Sequence, residues 1–211
     1  MPANRIHLVR HGEVHNPGGV LYGRLPHFRL SERGHEMAEL AAKALKDAGV
    51  TIGAIYTSPL LRTQESAGHI EKLFGIDAKT DERLIEPYNI FEGRKLSART
   101  IAIRPHLVYH LRNPYTPSWG ESYVAIVARM VEAMNELAAR TEGGDVVIVT
   151  HQLPIWITHR HVKGLKLAHN PQKRRCALSS ITTFEVTKDG LVEVGYLNPA
   201  ESLLAVDKGA V

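Results

Sequence analysis

The most constraining feature of the sequence is a pattern that occurs twice, in which a short apolar run is followed directly by basic residues. The run Asp145–Thr150 is followed directly by His151, and the apolar residues 6–9 lead into Arg10 and His11. Short β-branched runs of this kind are typical of strands buried on both faces of a parallel sheet. Ligands bind at the carboxyl ends of such strands, so we expect these basic residues to meet there.

Helical periodicity follows the first of these strands. From Ser31 onward the apolar residues keep helical spacing up to Gly49, which is placed to end the helix in a left-handed conformation. A strand at residues 54–57 comes next, and Ser58-Pro59 is interpreted as the N-cap and first residue of a second helix ending at Gly75. This alternation of strands and helices predicts an α/β fold.

The second half of the chain continues the alternation after an irregular segment. Four prolines within residues 87–117 predict that segment, with one short helix at residues 100–111. A capping box at residues 118–121 precedes a long amphipathic helix and accounts for Glu121, while Lys188-Asp189-Gly190 predicts a hairpin turn. We therefore expect a single domain over residues 1–211. Its predicted fold is a three-layer α/β sandwich with a mostly parallel central sheet, helices on both faces and the C-terminal hairpin at the edge.

Composition narrows the classes of partner. The 26 Lys and Arg residues against 22 Asp and Glu give a net charge of +4, which suits an anionic ligand without requiring nucleic acid. Aromatic residues make up only 6%, and no RNA-binding or zinc-finger spacing occurs, so nucleic acid is not an expected partner. No apolar run approaches the roughly 20 residues that span a bilayer, and no signal peptide is recognisable. With Cys176 as the single cysteine, we expect a cytoplasmic protein with no membrane partner.

The basic residues at the predicted strand ends form a candidate anion site. Arg10 and His11 end one strand, His151 ends another, and Arg62 lies one turn into the helix that follows the strand between them. Guanidinium groups match the oxygens of a phosphoryl group with paired, charge-assisted hydrogen bonds. An imidazole whose free nitrogen faces phosphorus would then act as a nucleophile.

Four motifs occur in order within about residues 5–155: Leu8-Val9-Arg10-His11-Gly12-Glu13, Ser58-Pro59-Leu60-Leu61-Arg62-Thr63, Glu86 before Glu92-Gly93, and Val149-Thr150-His151. Together they resemble the histidine phosphatase superfamily, also called phosphoglycerate mutase-like, and within it the phosphatase branch. The resemblance implies phosphoryl chemistry on an α/β fold without a metal ion or other cofactor.

The resemblance also implies a role for each residue. His11 would be the nucleophile that becomes a phosphohistidine, Glu86 would protonate the leaving alkoxide, and His151 would be a further catalytic residue. Arg10, Arg62 and His151 would bind the phosphoryl oxygens. Nearby cations should lower the pKa of His11, and desolvation or substrate charge should keep Glu86 protonated near neutral pH.

Two further residues are candidate phosphate contacts. Asn16 follows the nucleophile one residue closer than the usual asparagine of the family, and Arg24 lies in the next loop at the expected mouth of the site. Gln152 stands where the family usually has glycine after its second histidine. The run Lys173-Arg174-Arg175 is interpreted as a solvated face.

These residues predict a metal-independent phosphomonoesterase, a histidine acid phosphatase-like hydrolase of small-molecule phosphate esters. One alternative is mutase-type phosphoryl transfer on a phosphoglycerate, and another is a catalytically weak protein that binds a phosphate ligand. A metal-binding protein would need His7, His11 and His15, whose spacing of four would place them on one face of a helix. Gly12 and the apolar residues 6–9 predict a strand and a loop there instead. The sequence does not define an oligomeric state and is compatible with a homodimer.

Overall fold

The backbone builds one mixed β-sheet with helices on both faces. The computed structural model describes residues 2–95 and 120–206, so the short helix predicted at residues 100–111 lies outside the described residues. Within these ranges the sheet has six strands. They are β1 Arg5–Arg10, β2 Ile52–Thr57, β3 Ala78–Thr80, β4 Asp145–Thr150, β5 Ile181–Thr187 and β6 Gly190–Leu197.

The strand order is β3-β2-β4-β1-β5-β6, with β3, β2, β4 and β1 parallel. Strand β5 runs antiparallel to β1 and forms the edge hairpin with β6. This order confirms the predicted α/β architecture, its mostly parallel sheet and its C-terminal hairpin. Because β1 and β4 are neighbours that pair Arg10 with Thr150, both strands end at the same level. The residues that follow them, His11 and His151, therefore lie side by side.

Helices cover both faces of the sheet and complete the three layers. Successive strand residues point to opposite faces. Accordingly Val147 packs with the first two helices, and Ile148 with the last two. No helix in the described ranges is long and apolar enough to cross a membrane. The helices are α1 Glu32–Asp47, α2 Leu61–Phe74, α3 Tyr123–Arg140 and α4 Gln152–Val162, with short 3₁₀ helices at Glu82–Leu84, Pro171–Lys173 and Glu201–Val206.

The first helix begins and ends as predicted, whereas the second does not. The Ser31 side chain caps α1 by accepting a hydrogen bond from the Gly34 N–H, and Gly49 follows with φ 69°. Helix α2 begins at Leu61, and no side chain caps it. The prediction that Ser58 is its N-cap is therefore wrong, because the Ser58 hydroxyl bonds to a histidine instead.

The cap predicted for the long helix is also wrong. Helix α3 begins at Tyr123, and the Ser122 side chain caps it by accepting a hydrogen bond from the Ala125 N–H at 3.2 Å. The capping box was expected at residues 118–121, of which 118 and 119 lie outside the described residues. Glu121 consequently precedes the cap, and its carboxylate binds arginines instead.

The loop after β1 packs against the first turn of α1 through backbone atoms. A Cβ on Gly12 would lie 2.2 Å from the Gly34 carbonyl oxygen, and a Cβ on Gly34 would lie 2.0 Å from the Glu13 carbonyl oxygen. The Ser31 N–H donates to that Glu13 carbonyl at 2.9 Å. Only glycine fits at these two positions, and the loop that carries His11 is thereby fixed against α1.

Ser179 offers a test of local strain. Its φ of 55° lies in the left-handed region, its side chain is fully buried, and its hydroxyl has no hydrogen-bond partner in the described parts of the chain. A side chain in this conformation costs about 1–2 kcal/mol, whereas glycine adopts it freely at the expense of some unfolded-state entropy. We expect Ser179→Gly to raise the free energy of unfolding by about 1 kcal/mol in urea denaturation with an unchanged m value.

The neighbouring residue provides the matched control. Ser180 is equally buried but does not have a positive φ, so Ser180→Gly should lower the free energy of unfolding. Equal destabilisation by both substitutions would show that the Ser179 backbone stores no relievable strain.

Candidate active site

Four basic side chains converge at the carboxyl ends of β1 and β4. Arg10 is the last residue of β1 and His11 follows it, while His151 follows β4 and Arg62 is the second residue of α2. All four are buried, with exposed fractions of 4%, 3%, 1% and 1% for Arg10, His11, Arg62 and His151. The ring centres of the two histidines lie 5.2 Å apart, and Arg62 Nη2 lies 3.3 Å from His151 Nδ1. The structure thus brings together the four residues that the sequence motifs singled out.

His11 is held as a neutral imidazole with one free nitrogen. Its Nδ1 lies 2.7 Å from the Gly12 carbonyl oxygen, which can only accept, so Nδ1 carries the proton and Nε2 the lone pair. Burial lowers the pKa of His11 well below its usual 6.5, and the charges of Arg62 and Arg10 lower it further. Near neutral pH this ring therefore has the protonation state that a nucleophile requires.

His151 is neutral as well, with the opposite tautomer. The Arg62 guanidinium can only donate, so His151 Nδ1 accepts from it, and Nε2 carries the proton that is donated to Ser58 Oγ at 2.8 Å. Burial lowers the pKa of His151 well below 6.5, with Arg62 as the next cause. This contact accounts for Ser58, whose hydroxyl orients His151 instead of capping α2.

The two buried arginines retain unused donors. Arg10 Nη1 donates to the Cys176 carbonyl at 2.6 Å, and Arg62 Nη2 donates to the Gly23 carbonyl at 2.7 Å. The Nε of each guanidinium is buried and has no hydrogen-bond partner among the described residues. A buried donor without a partner costs about 1–3 kcal/mol, and more when it is charged. A bound anion would supply the missing acceptors for these two Nε–H groups.

The segment that carries Glu86 is held from two sides. Glu86 follows the 3₁₀ helix Glu82–Leu84, whose last carbonyl accepts a hydrogen bond from Thr150 Oγ1 at 2.6 Å. From the other side, Arg24 Nε donates to the Glu86 carbonyl at 2.5 Å. The end of β4 and the loop after the nucleophile thus fix the position of the Glu86 backbone.

The Glu86 carboxyl group is placed as a proton donor. Its Oε2 is buried without a hydrogen-bond partner in the described ranges and lies 3.9 Å from His151 Nδ1. Burial raises the pKa of Glu86 above its usual 4.5, while the charges of Arg62, Arg174 and Arg10 act in the opposite direction. The carboxyl group can therefore hold a proton at a pH at which an exposed glutamate has lost it.

The two candidate phosphate contacts lie elsewhere in the loops. Arg24 Nη2 lies 3.5 Å from Glu121 Oε2, so its guanidinium is shared between that carboxylate and the Glu86 carbonyl. Asn16 donates from Nδ2 to the Val20 carbonyl at 2.8 Å and accepts from the Val20 N–H at 3.2 Å, which closes a turn. Arg24 thus lies beside the acid segment, and Asn16 uses its amide within its own loop.

This arrangement agrees with a family comparison. The profile of the histidine phosphatase superfamily (branch 1) matches residues 6–198 of the chain. The chain belongs to the histidine phosphatase superfamily. General phosphoryl hydrolysis or transfer is the chemistry that its family and its relatives support.

Relatives of this chain include a protein named as uncharacterized and proteins named for an activity. It is 47% identical over 197 residues to the uncharacterized protein Rv0525 of Mycobacterium tuberculosis, covering 93% of this chain and 96% of that one. It is 35% identical over 151 residues to the 2,3-bisphosphoglycerate-dependent phosphoglycerate mutase of Thermoplasma acidophilum, covering 70% of each. The solved structure of mycobacterial glucosyl-3-phosphoglycerate phosphatase Rv2419c in complex with VO3 is similar, with a TM-score of 0.72, 26% identity and coverage of 91% and 97% of the two chains.

Sequence reasoning missed the part that Glu121 plays in the candidate site. Its carboxylate accepts from Arg129 Nε at 2.8 Å and Nη2 at 3.0 Å, and Arg129 Nη1 also donates to the Arg83 carbonyl. A Cβ on the preceding Gly120 would lie 2.1 Å from the Tyr88 carbonyl oxygen, so glycine is required there. Glu121 and Arg129 therefore brace the segment around Glu86. The Gly-Glu-Ser triplet at residues 120–122 was the available signal, and the capping interpretation concealed it.

The prediction that Lys173-Arg174-Arg175 faces solvent is wrong at its middle residue. Lys173 and Arg175 are exposed, but Arg174 is partly buried and donates from Nη1 to Gln152 Oε1 at 3.0 Å. Burial lowers the pKa of Arg174, and the Glu86 carboxylate is the largest influence in the other direction. A further cation thus lies near the acid, and Gln152, where the family usually has glycine, was the only signal for it.

The strand and loop predicted around His7, His11 and His15 are confirmed, so these histidines do not share a helix face. His7 lies in β1, where its Nε2 is 3.1 Å from Asp145 Oδ2 and its Nδ1 is 3.0 Å from Thr183 Oγ1, and His15 is an exposed loop residue. No group of three or more His, Cys, Asp or Glu side chains in the described residues is placed to hold a metal ion.

Proposed function

We propose that this histidine phosphatase hydrolyses small-molecule phosphate monoesters in two steps through a phosphohistidine on His11, without a metal ion. The observation that carries the proposal is the hydrogen bond between His11 Nδ1 and the Gly12 carbonyl oxygen, which fixes the tautomer of His11. Its Nδ1 proton is engaged by Gly12, which leaves the Nε2 lone pair beside two buried guanidinium groups with unused donors. A neutral nucleophile in a cationic, partly dehydrated site favours attack on a phosphate dianion.

In the first step His11 Nε2 attacks phosphorus, and the bond between phosphorus and the ester oxygen breaks. Arg10 and Arg62 bind the phosphoryl oxygens through their unused Nε–H groups, where charge develops in the transition state. Glu86 gives its proton to the departing alkoxide oxygen, which leaves as an alcohol. The dianion raises the proton affinity of His151, so its ring takes up a proton from solvent when the ester binds and donates the additional N–H to the same oxygens.

In the second step a water molecule attacks the phosphohistidine. Glu86, now a carboxylate, takes a proton from that water, and the bond between nitrogen and phosphorus breaks. His11 regains its lone pair at Nε2, while Nδ1–H keeps its hydrogen bond to Gly12 throughout. Inorganic phosphate leaves, and Glu86 is protonated again for the next cycle.

The same features support the finer assignments. A protonated carboxyl group as the leaving-group acid favours activity on the acidic side of neutral, which is the behaviour of a histidine acid phosphatase-like enzyme. The chemistry places no requirement on a cofactor, and the expected partner is a small phosphate ester in the cytoplasm. Asn16 and Arg24 stay predicted phosphate contacts, and both would have to exchange present partners to reach an anion.

A direct test is phosphate release from p-nitrophenyl phosphate in excess EDTA. We expect the rate with EDTA to equal the rate without it, because nitrogen atoms and guanidinium groups supply the chemistry. The same protein assayed after dialysis against Mg²⁺ or Zn²⁺ is the control. Loss of activity in EDTA that returns with either ion would contradict the metal-independent mechanism.

Mutase-type phosphoryl transfer is the second candidate, favoured by the similarity to a protein named as a phosphoglycerate mutase. The phosphohistidine would then return its phosphoryl group to a phosphoglycerate instead of to water. Incubation with 3-phosphoglycerate separates the two, since a phosphatase releases inorganic phosphate and a mutase forms 2-phosphoglycerate. Binding of phosphate with neither product would instead indicate the catalytically weak binding protein.

A further inference from the structure

Arg174 is a partly buried cation that forms no ion pair among the described residues. Its Nη1 donates to Gln152 Oε1 and its Nε donates to His169 Nε2, both at 3.0 Å. No carboxylate in the described ranges lies within ion-pair distance of it, and its Nη2 makes no hydrogen bond there. Its neighbour Arg175, by contrast, forms an ion pair with Glu193 at 2.5 Å.

Both hydrogen-bond partners of Arg174 are neutral. His169 Nδ1 donates to the Leu167 carbonyl at 2.7 Å, so its Nε2 is the acceptor for Arg174. Burial lowers the pKa of His169 to about 4, which keeps the ring uncharged at neutral pH. Two neutral groups therefore orient the Arg174 guanidinium, and neither compensates its positive charge. An uncompensated charge that is partly removed from water is costly unless an anion binds to it.

A short chain of contacts joins Arg174 to the phosphoryl site. Gln152, which directly follows His151, donates from Nε2 to the Cys176 carbonyl at 3.5 Å. The same carbonyl accepts the 2.6 Å hydrogen bond from Arg10 Nη1. The charge of Arg174 also acts on Glu86 and on Arg10. Arg174 thus shares its surroundings with the acid and with one phosphate-binding arginine.

We propose that Arg174 binds a second anionic group of the substrate, so that the preferred substrates are phosphate monoesters with a carboxylate or second phosphate close to the ester. This inference rests on the proposed function. The phosphoryl group of the substrate must occupy the site at His11 for Arg174 to contact the second anionic group of the same molecule. Gln152 and His169 are positioning residues that hold the guanidinium. Glycine at position 152 would remove one of these two acceptors.

The test compares pairs of substrates that differ in one charged group. 3-Phosphoglycerate and glycerol 3-phosphate differ only in a carboxylate against a hydroxymethyl group, and fructose 1,6-bisphosphate and fructose 6-phosphate differ in a second phosphate. For each pair we compare kcat/KM of the member with the additional anionic group with kcat/KM of the member without it. In Arg174→Gln we expect this ratio to fall by about 10- to 100-fold, as for loss of a charged hydrogen bond. The pair that responds identifies the carboxylate or the phosphate as the group bound.

Two variants keep the result specific. Lys173→Gln removes the adjacent exposed charge and should leave the ratio unchanged. Gln152→Gly should lower the ratio in the same direction by a smaller factor, because it loosens Arg174 without removing it. An equal loss for both members of each pair, or no loss in either pair, would overturn the subsite.

Binding to the His11→Ala protein separates this inference from the proposed mechanism. Calorimetric titration should show weaker binding of 3-phosphoglycerate or fructose 1,6-bisphosphate to the double variant His11→Ala, Arg174→Gln than to His11→Ala alone. The change should be smaller for glycerol 3-phosphate and fructose 6-phosphate, which lack the additional anionic group. That result supports the subsite even if the native protein releases no phosphate, in which case the hydrolytic function alone fails. Absence of binding by all four compounds would overturn the subsite as well.

Discussion

Replacing His11 with alanine is expected to lower phosphate release by about 10⁴-fold or more, because removing a nucleophile eliminates the covalent pathway itself. The remaining rate would come from direct attack by water on a phosphate bound by Arg10 and Arg62. The fold should survive, since the hydrogen bond that would be lost joins the His11 ring to the adjacent Gly12 carbonyl. Steady-state kinetics with p-nitrophenyl phosphate and a thermal melt measure both quantities.

The matched control for this substitution is His15→Ala. His15 lies in the same loop but is exposed, so its removal should leave the rate unchanged. Rapid quenching of the native enzyme into alkali, followed by mass analysis, should find one added phosphoryl group on the peptide that contains His11. A His11→Ala enzyme that retains the native rate would remove the phosphohistidine mechanism.

Replacing Glu86 with glutamine is expected to reduce kcat/KM by about 10²- to 10⁴-fold for an alkyl phosphate, whose leaving alkoxide needs a proton. The loss should be much smaller for p-nitrophenyl phosphate, because a phenolate leaves without protonation. Glu82→Gln is a suitable control, since Glu82 is an exposed residue of the same segment. Equal losses for alkyl and aryl esters would show that Glu86 supports binding and is not the acid.

The pH dependence gives Glu86 a second signature. Burial raises its pKa above 4.5, so the active protonated form is lost, and kcat/KM falls, as the pH rises through that raised value. Burial lowers the pKa of His11 well below 6.5, so the neutral nucleophile persists to acidic pH. Activity should therefore peak below neutral pH, and Glu86→Gln should remove the fall on the alkaline side apart from ionisation of the substrate. An unchanged alkaline limb in that variant would assign it to another group.

Much of the active site could be predicted because it depends on strand ends. Parallel neighbours finish at one edge of a sheet, so His11 and His151 had to meet once β1 and β4 were recognised. The presence of Arg62 in the site could be predicted because it lies in the first turn of the helix that follows β2. The hydroxyl of Ser58 could not be assigned this way, because Ser-Pro is locally a good helix start and only the distant His151 reveals its real partner.

The residues that sequence reasoning misplaced are long polar side chains whose partners are set by the tertiary packing of loops and helices. Glu121 binds Arg129 and Arg24, and Arg174 binds Gln152, in each case across a tertiary contact. Arg174 lies between two other basic residues, a pattern that is also typical of a solvated surface, and Glu121 fits a capping box. Hydrophobic patterning specifies which face of a helix is buried, but it does not specify which charge a loop turns inward.

The position of β1 in the sheet determines when this enzyme can first become active during synthesis. β1 is made first, yet its neighbours are β4 and β5, which end at Thr150 and Thr187. A nascent chain that stops before Asp145 therefore lacks both strands that flank β1, and with them His151. Such long-range pairing is slow to form and leaves strand edges open in the meantime. On the proposed function, phosphoryl chemistry would begin only after β4 and β5 have left the ribosome.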